Sequence, residues 1–422
     1  MEGLPNSRAI GWPRDGFSVM NEQAPEISLD RSHSRESSHS HFSAEFIVVY
    51  LRVVQGCNLN CAHCFTLGNR DEYRLVDLDH VRQFLRAIVK NVGPKKAVVY
   101  IHGGETFLAP REHLAAVNKI VREEFISLNH YDIIPQTNLM YEVDDAYIDF
   151  IKQEYNSQIG ISWDYKIRFN TAGKNLDEAL FFTNFSKLVE GGIDAAIAIT
   201  VQKHLLKSDP LEWLPKFTGA KSIDFEFLTL FDNKTRNLKV NNDEWSEYLF
   251  NVVQYYASHS LTWSMPQVDL FTKSFVENRI FSCKGNCCLN RTFTLNCNGS
   301  VGLCPDQAYF APISNMKEVV EDWDQFELKG RETYLRQMVQ PLHELCSTCE
   351  FYDHCGGNCE PDLFDAGSKE CPLSRKTLKF QKENLELFMN KLQLAKTNLV
   401  ELRDVNSEER REERRKERPQ CH

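Results

Sequence analysis

The chain has 422 residues, 42% of them hydrophobic and 26% charged, and a net charge of −10. This composition is ordinary for a globular protein, and the length allows about two domains. The acidic balance argues against a nucleic-acid partner, because a phosphate-binding face normally shows as an excess of basic residues. There is no apolar run of about 18 residues, and the polar first twenty residues do not form a signal peptide. We therefore expect a cytoplasmic protein with no membrane partner.

Residues 1–43 end in a stretch rich in Ser and His, which predicts a disordered tail. From residue 44 onward, apolar β-branched runs alternate with stretches of helical periodicity, such as 77–92 and 110–128. The six apolar runs are 44–54, 97–102, 132–138, 158–163, 193–201 and 223–230. This alternation predicts an α/β protein with a partial (β/α)6 barrel over residues 44–240. In such barrels the functional residues lie on loops after the carboxyl ends of the strands.

The remainder of the chain divides by composition into three segments. Residues 241–282 are rich in aromatic side chains and are expected to form a connecting helical segment. Residues 283–375 form a cysteine-rich domain. Residues 376–422 begin with a helix whose apolar residues are expected to pack on the body, and they end in a solvated charge run. The apolar residues of that helix are Leu378, Leu385, Phe388 and Leu392.

Cysteines supply the strongest indication of function. The chain contains fourteen, and in a reducing compartment metal ligation is a better explanation for them than disulfide bonds. Cys57, Cys61 and Cys64 form a C-x₃-C-x₂-C motif directly after the first predicted strand. Three thiolates can hold three irons of a four-iron cluster and leave the fourth iron open for chemistry. The alternative is a structural zinc site in which His63 is the fourth ligand.

This motif resembles that of the radical S-adenosylmethionine (SAM) enzymes, in which the open iron chelates the methionine end of the cofactor. Gly103, Gly104 and Glu105 follow the second predicted barrel strand, like the Gly-Gly-Glu motif that receives the cofactor's amino group in that family. Glycines allow close approach of the backbone to a ligand, and a carboxylate pairs with an ammonium group. Gly-Gly-Glu is also an ordinary turn, so its position after this strand is what gives it weight.

Further residues of the chain match the cofactor-binding segments of the same family. Gln136-Thr137-Asn138 is similar to a family segment that ends in glycine, although Leu139 stands at the glycine position. Ser162 and Arg168 resemble the serine and arginine that the family places near the cofactor's ribose and carboxylate, with Tyr165 in place of a usual glycine. Phe65 matches the aromatic residue that family members place against the adenine. The alternative interpretations are a surface ion pair for Arg168 and a core aromatic for Phe65.

The C-terminal cysteines resemble the SPASM domain, which follows the barrel in radical SAM enzymes that modify peptides and proteins. In that domain two auxiliary four-iron clusters are each held by four cysteines, so the resemblance implies SAM and three 4Fe-4S clusters. Auxiliary cluster I would use Cys304, Cys359 and two of Cys283, Cys287 and Cys288. Auxiliary cluster II would use Cys346, Cys349, Cys355 and Cys371. Cys297 is interpreted as a packing residue and Cys421 as a tail residue. Two zinc ions are the alternative for these eight positions.

The resemblance also implies a reaction. A reduced cluster would cleave SAM, and the resulting 5′-deoxyadenosyl radical would abstract hydrogen from a substrate carbon, with the auxiliary clusters accepting the electron left afterwards. Asp306 is a candidate catalytic base, and otherwise a turn-forming residue after Pro305.

The leading hypothesis is therefore an oxidoreductase that cross-links or otherwise oxidises a side chain of a peptide, as a maturase of ribosomally made peptides (RiPPs) does. The alternatives are a sulfatase-type formylglycine-forming maturase, a small-alcohol or sugar dehydrogenase, and a non-catalytic iron–sulfur or zinc scaffold. The expected partners are the peptide or protein substrate and an external electron donor, flavodoxin or ferredoxin. Residues 1–43 are too few and too polar to form a peptide-recognition domain. A separate leader-recognition protein, the barrel edge or the C-terminal tail would then bind a leader, unless the substrate lacks one.

Overall fold

The structure is a computed structural model that describes residues 42–66, 73–170, 174, 178–230, 233–278, 288–338, 343–357 and 367–393, with no side chains at 233, 288, 337 and 338. Some of the predictions fall outside the described residues. These are the N-terminal tail up to residue 41, Cys283, Cys287, the side chain of Cys288, Cys359, and the C-terminal tail from residue 394.

The strands of the described residues are β1 (Phe46–Gln55), β2 (Arg74–Leu75), β3 (Lys96–Gly103), β4 (His130–Thr137), β5 (Gln158–Trp163), β6 (Asp194–Val201), β7 (Ser222–Phe227), β8 (Thr292–Leu295), β9 (Ser300–Gly302) and β10 (Ser314–Asn315). The helices are α1 (Leu78–Val92), α2 (Arg111–Glu124), α3 (Asp145–Tyr155), α4 (Glu178–Glu190), α5 (Pro210–Trp213), α6 (Asn233–Arg236), α7 (Asn242–Ser258), α8 (Pro266–Glu277), α9 (Met316–Glu321), α10 (Trp323–Met338), α11 (Glu344–Ser347), α12 (Tyr352–Cys355) and α13 (Arg375–Glu383).

Six parallel strands form the framework of the protein. The sheet order is β10-β9-β8-β1-β3-β4-β5-β6-β7, with β2 paired to β1. Neighbours from β1 through β7 in this order pair in parallel, and helices α1 to α5 lie in turn between them along the chain. The predicted partial (β/α)6 arrangement is confirmed. Parallel strands place their carboxyl ends at one edge, so the loops after β1, β3, β4 and β5 lie on the same side of the sheet.

Local signals in the sequence account for the helix boundaries. Helix α1 begins after Asp77, whose carboxylate accepts hydrogen bonds from the backbone N–H groups of Asp79 and His80. It ends at Gly93, which adopts the left-handed conformation (φ 62°) that glycine tolerates. Caps of this kind satisfy backbone groups that the helix itself leaves unpaired.

The two faces of β1 have different environments. Ile47, Val49 and Leu51 are fully buried on the face that packs against the helices. The alternate residues, which include Tyr50 and Arg52, line the barrel interior beside Tyr100 and His102 of β3. The barrel interior therefore contains polar side chains.

The C-terminal part of the chain extends the same sheet. Strand β8 pairs in parallel with β1 from Val48 to Leu51, and β9 pairs antiparallel with β8. The expected packing of the C-terminal stretch is confirmed at two positions, Leu378 of α13 and Phe388 beyond the end of that helix, which are 3% and 1% exposed. No helix in the described ranges combines the length and apolar character needed to cross a bilayer.

Candidate active site at the carboxyl ends of the strands

The three cysteines of the C-x₃-C-x₂-C motif lie on the loop that directly follows β1. All three are partly buried and none forms a disulfide bond. The Cys57 thiol accepts a hydrogen bond from the backbone N–H of Leu59 at 3.3 Å, and the Cys64 thiol lies 3.2 Å from the Thr66 hydroxyl. Burial raises the pKa of Cys57 to about 12, so this thiol keeps its proton at neutral pH unless a metal ion displaces it.

The three thiols of the motif have the right chemistry for an iron–sulfur cluster, although they are not arranged around a common metal position in this structure. Within the described ranges, no three His, Cys, Asp or Glu side chains are arranged so that they could hold a metal ion. Cys57, Cys61 and Cys64 nevertheless share one short loop beside the carboxyl ends of the neighbouring strands. Three soft thiolates with no fourth protein ligand suit a four-iron cluster with one open iron.

Gly103 and Gly104 allow the end of β3 to lie directly against the start of the cysteine loop. The Gly104 N–H donates to the Val54 carbonyl at 2.9 Å, and the Glu105 N–H donates to the Gly56 carbonyl at 2.8 Å. A Cβ atom at Gly104 would overlap the Gly56 carbonyl oxygen. Glycine is therefore required here by close backbone approach.

Glu105 points into the protein, where it organises the turn after β4. Its side chain is 1% exposed. Its carboxylate accepts hydrogen bonds from the Thr137 hydroxyl at 2.9 Å, from the Asn138 N–H at 2.7 Å and from the Phe107 N–H at 3.2 Å. Burial raises the pKa of Glu105 to about 7, against the effect of these donors. In this arrangement both carboxylate oxygens are occupied by protein groups, so Glu105 sets the position of Asn138.

The Asn138 side chain connects the β4 turn to the cysteine loop. Its amide donates to the Asn58 side-chain oxygen at 2.8 Å and lies 3.7 Å from the Cys57 sulfur. The next residue, Leu139, is fully buried and adopts the left-handed conformation with φ 58°. Leu139, at the position where the resemblance predicts glycine, therefore has a glycine-type backbone at the cost of strain.

Arg168 forms a buried ion pair, so the surface interpretation is wrong. Its Nε donates to Asp164 at 2.8 Å, one Nη donates to the Asn138 carbonyl at 2.6 Å, and the other donates to the Ser162 carbonyl. Burial alone would raise the pKa of Asp164, but Arg168 and His63 outweigh it and hold the pKa well below its usual range. The His63 ring, on the cysteine loop, lies 3.5 Å from the same carboxylate.

Phe65 and Asp306 both lie near a buried arginine of β1. The Arg52 guanidinium lies 5.5 Å from the Phe65 ring centre, and Phe65 lies 6.3 Å from the His102 ring. Asp306 interacts electrostatically with Arg52 and with Tyr50. The candidate base therefore lies close to the barrel interior.

Sequence analysis missed the polar side chains that line this interior. The Glu226 side chain of β7 is exposed to solvent, yet desolvation by the surrounding strands, together with the nearby Asp224 carboxylate, raises its pKa to about 8. Its neighbour in the sheet, Thr200, donates to Asp164. The signal was present, because Arg52, Asp224 and Glu226 are charged residues at alternate positions of apolar strands, which marks the strand face that does not pack on helices.

The four cysteines predicted to hold auxiliary cluster II line a single pocket. Cys346 and Cys355 are buried, and Cys349 and Cys371 are partly buried. None is disulfide-bonded, and burial raises the pKa of Cys371 to about 12. Helices α11 and α12 and the turn before α13 bring these residues together, although Cys346 and Cys371 are distant in sequence. Cys304 lies outside this pocket, on the turn after β9.

Searches of protein-family models and of curated proteins find no match. A search of solved structures does find proteins that are similar to this chain. An anaerobic sulfatase maturase, anSMEcpe with bound SAM, is 17% identical with a TM-score of 0.66, and the match covers 83% of this chain and 98% of that one. The same enzyme with bound SAM and the Cp18Cys peptide gives a TM-score of 0.63 at 17% identity, covering 82% and 99%.

A second similar structure comes from Streptococcus suis. SuiB bound to its precursor peptide SuiA is 14% identical with a TM-score of 0.53, and the match covers 79% of this chain and 77% of SuiB. SuiB is a radical SAM enzyme with a SPASM domain. At these identities the likeness establishes the fold. The protein has the α/β fold of the radical SAM maturases.

Proposed function

We propose that this protein is a radical SAM enzyme that oxidatively modifies a side chain of a peptide or protein. The observation that carries the proposal is the placement of the Cys57–Cys64 loop. Its Cys57 sulfur lies 3.7 Å from the Asn138 amide, and its His63 ring lies 3.5 Å from the Asp164 carboxylate, which Arg168 also binds. Motif residues from the ends of β1, β3, β4 and β5 thus meet at one edge of the sheet, as expected for a site that holds a cluster and a nucleotide cofactor together.

The triplet would hold a four-iron cluster, and residues 103–105, Asn138, Ser162 and Arg168 would form the SAM site. When bound, the cluster and SAM supply one-electron cleavage of the cofactor and hydrogen abstraction from an unactivated carbon. The residues of the chain orient the reactants and exclude water. Arg168 has the central position, because its three hydrogen bonds join the carbonyls of Asn138 and Ser162 to the Asp164 carboxylate.

The peptide substrate is proposed from the structural relatives and from the cysteine-rich segment. Two of the similar structures contain a bound peptide, Cp18Cys in anSMEcpe and SuiA in SuiB. The pocket formed by Cys346, Cys349, Cys355 and Cys371 would hold an auxiliary cluster, which could accept the electron left after oxidation. We infer a maturase of ribosomally made peptides, with Asp306 as the proton acceptor and a flavodoxin or ferredoxin as the electron donor.

Anaerobic reconstitution with iron and sulfide tests the proposal. The wild-type protein should bind about twelve irons per chain if three four-iron clusters form, and it should release 5′-deoxyadenosine from SAM under dithionite. Joint replacement of Cys57, Cys61 and Cys64 by Ala should abolish this release and remove about four irons. The matched control is Cys297→Ala, which removes a buried thiol that donates to the Arg52 carbonyl at 2.8 Å. This control should keep both iron content and cofactor cleavage.

The outcome that contradicts the proposal is wild-type protein that binds zinc, or no metal, and does not cleave SAM. That result would favour the scaffold hypothesis. Cleavage in the triple variant would place the catalytic cluster elsewhere in the chain. The substrate class is tested separately, by coexpression with short reading frames encoded beside the gene. Mass spectrometry should detect loss of hydrogen from one such peptide in the presence of the wild-type protein and not of the triple variant.

A further inference from the structure

Arg52 is a buried arginine in the apolar strand β1, five positions before Cys57. It is 2% exposed. Its neighbours Leu51 and Val53 are fully buried on the helix-facing side of the strand, so Arg52 projects toward the barrel interior. A buried cation is costly unless its environment uses the charge.

The contacts of Arg52 connect two loops that are far apart in sequence. One Nη donates to the Pro305 carbonyl at 2.5 Å. The guanidinium lies 5.5 Å from the ring centre of Phe65, which follows Cys64, and 5.7 Å from that of Tyr309. The other Nη is buried and has no hydrogen-bond partner among the described residues. An unpaired buried donor of this kind is destabilising until an acceptor arrives.

The titratable groups around Arg52 are one carboxylate, three thiols and the His102 ring. Asp306, Cys297, Cys64 and Cys304 all favour its charged form, while burial lowers its pKa to about 10. Arg52 therefore stays protonated at neutral pH. Two of these cysteines, Cys64 and Cys304, are the candidate ligands of two different iron centres.

We propose that Arg52 is a fixed cation, shared by the Cys64 loop and the Cys304 loop, that raises the reduction potential of the iron centre bound at the Cys57–Cys64 triplet. A positive charge held close to a centre in a low-dielectric interior stabilises the form that carries the extra electron. The Arg52 Nη that has no hydrogen-bond partner among the described residues would donate to an acceptor atom of the bound iron centre. This inference rests on the proposed function and adds an electrostatic role for a residue outside the motifs.

The test is a redox titration of the reconstituted full-length protein followed by electron paramagnetic resonance. The signal that changes when SAM is added identifies the centre at the triplet. Arg52→Met removes the charge and should shift the midpoint potential of this signal to a more negative value, whereas Arg52→Lys should keep it near the wild-type value. The control is Arg291→Met, which removes a partly buried arginine beside Phe46, at the amino end of β1.

A second variant keeps the inference falsifiable if Arg52→Met fails to fold. Asp306→Asn removes the anionic partner of Arg52, so the midpoint potential should shift in the opposite direction, to a less negative value. Unchanged potentials in iron-loaded, SAM-binding Arg52→Met or Asp306→Asn protein would overturn this inference and leave the proposed function intact. Wild-type protein that binds no iron would overturn both.

Discussion

Leu139 offers a direct test of the backbone conformation on which the site depends. It follows Asn138 and is fully buried with φ 58°. A non-glycine residue in the left-handed region costs roughly 1–2 kcal/mol. Removal of a buried leucine side chain costs about 2–5 kcal/mol. Burial is the larger effect, so both Leu139→Ala and Leu139→Gly should destabilise the protein relative to wild type.

The order of the two variants is the informative result. Because glycine relieves the left-handed strain that alanine retains, Leu139→Gly should be more stable than Leu139→Ala by about 1 kcal/mol. The matched pair is at Leu114, a fully buried residue of α2. In an ordinary helical conformation, Leu114→Gly should be less stable than Leu114→Ala by about 1 kcal/mol.

Anaerobic urea denaturation of the apoprotein measures both differences, since each compares two variants of the same site. Opposite signs at positions 139 and 114 are expected. If Leu139→Gly proved less stable than Leu139→Ala, as at Leu114, the left-handed assignment would be refuted. The account of how Asn138 is held would then fail with it.

Three further predictions concern the same edge of the sheet. Gly104→Ala should abolish SAM binding, measured by calorimetry, because its Cβ would overlap the Gly56 carbonyl; binding at wild-type affinity would refute the close approach. Arg168→Met should destabilise the protein by about 3–5 kcal/mol in urea denaturation, because it leaves the buried Asp164 carboxylate without its cationic partner, whereas Arg122→Met, in a partly exposed pair with Glu154, should cost about 0–1 kcal/mol; equal losses would contradict the buried assignment. The pKa of Glu105 rises from 4.5 to about 7 on folding. Between these two pH values the folded state binds a proton that the unfolded state has released. This carboxyl should therefore make the free energy of unfolding fall as the pH rises from about 4.5 to 7. Glu105→Gln should flatten that slope, and an unchanged slope would assign it to other groups.

Local patterns predicted the barrel and the position of its cysteine loop. The alternation of apolar runs with helical periodicity depends on neighbouring residues, and the strands that it indicated are present within a few positions. The cysteine triplet and the Gly-Gly turn were also readable, because each is a short contiguous motif after a strand. The backbone at Leu139 was not readable, since a buried leucine gives no local sign of a left-handed conformation.

Contacts between distant residues were beyond the sequence. No pattern in the chain places Arg52 against Pro305, 253 positions away. Nor does one show that β8 extends the barrel sheet beside β1. The inward orientation of Glu105 likewise depends on donors from the end of β4.

By itself, the sequence determined the order of strands and helices and the loops that carry the thiols, because periodicity and motif spacing act over a few residues. The tertiary structure decided which charges are buried, which carboxylates are already hydrogen-bonded, and which thiols share a pocket. Those outcomes follow from the packing of segments tens to hundreds of residues apart, where burial and long-range pairing set the energy of each polar group.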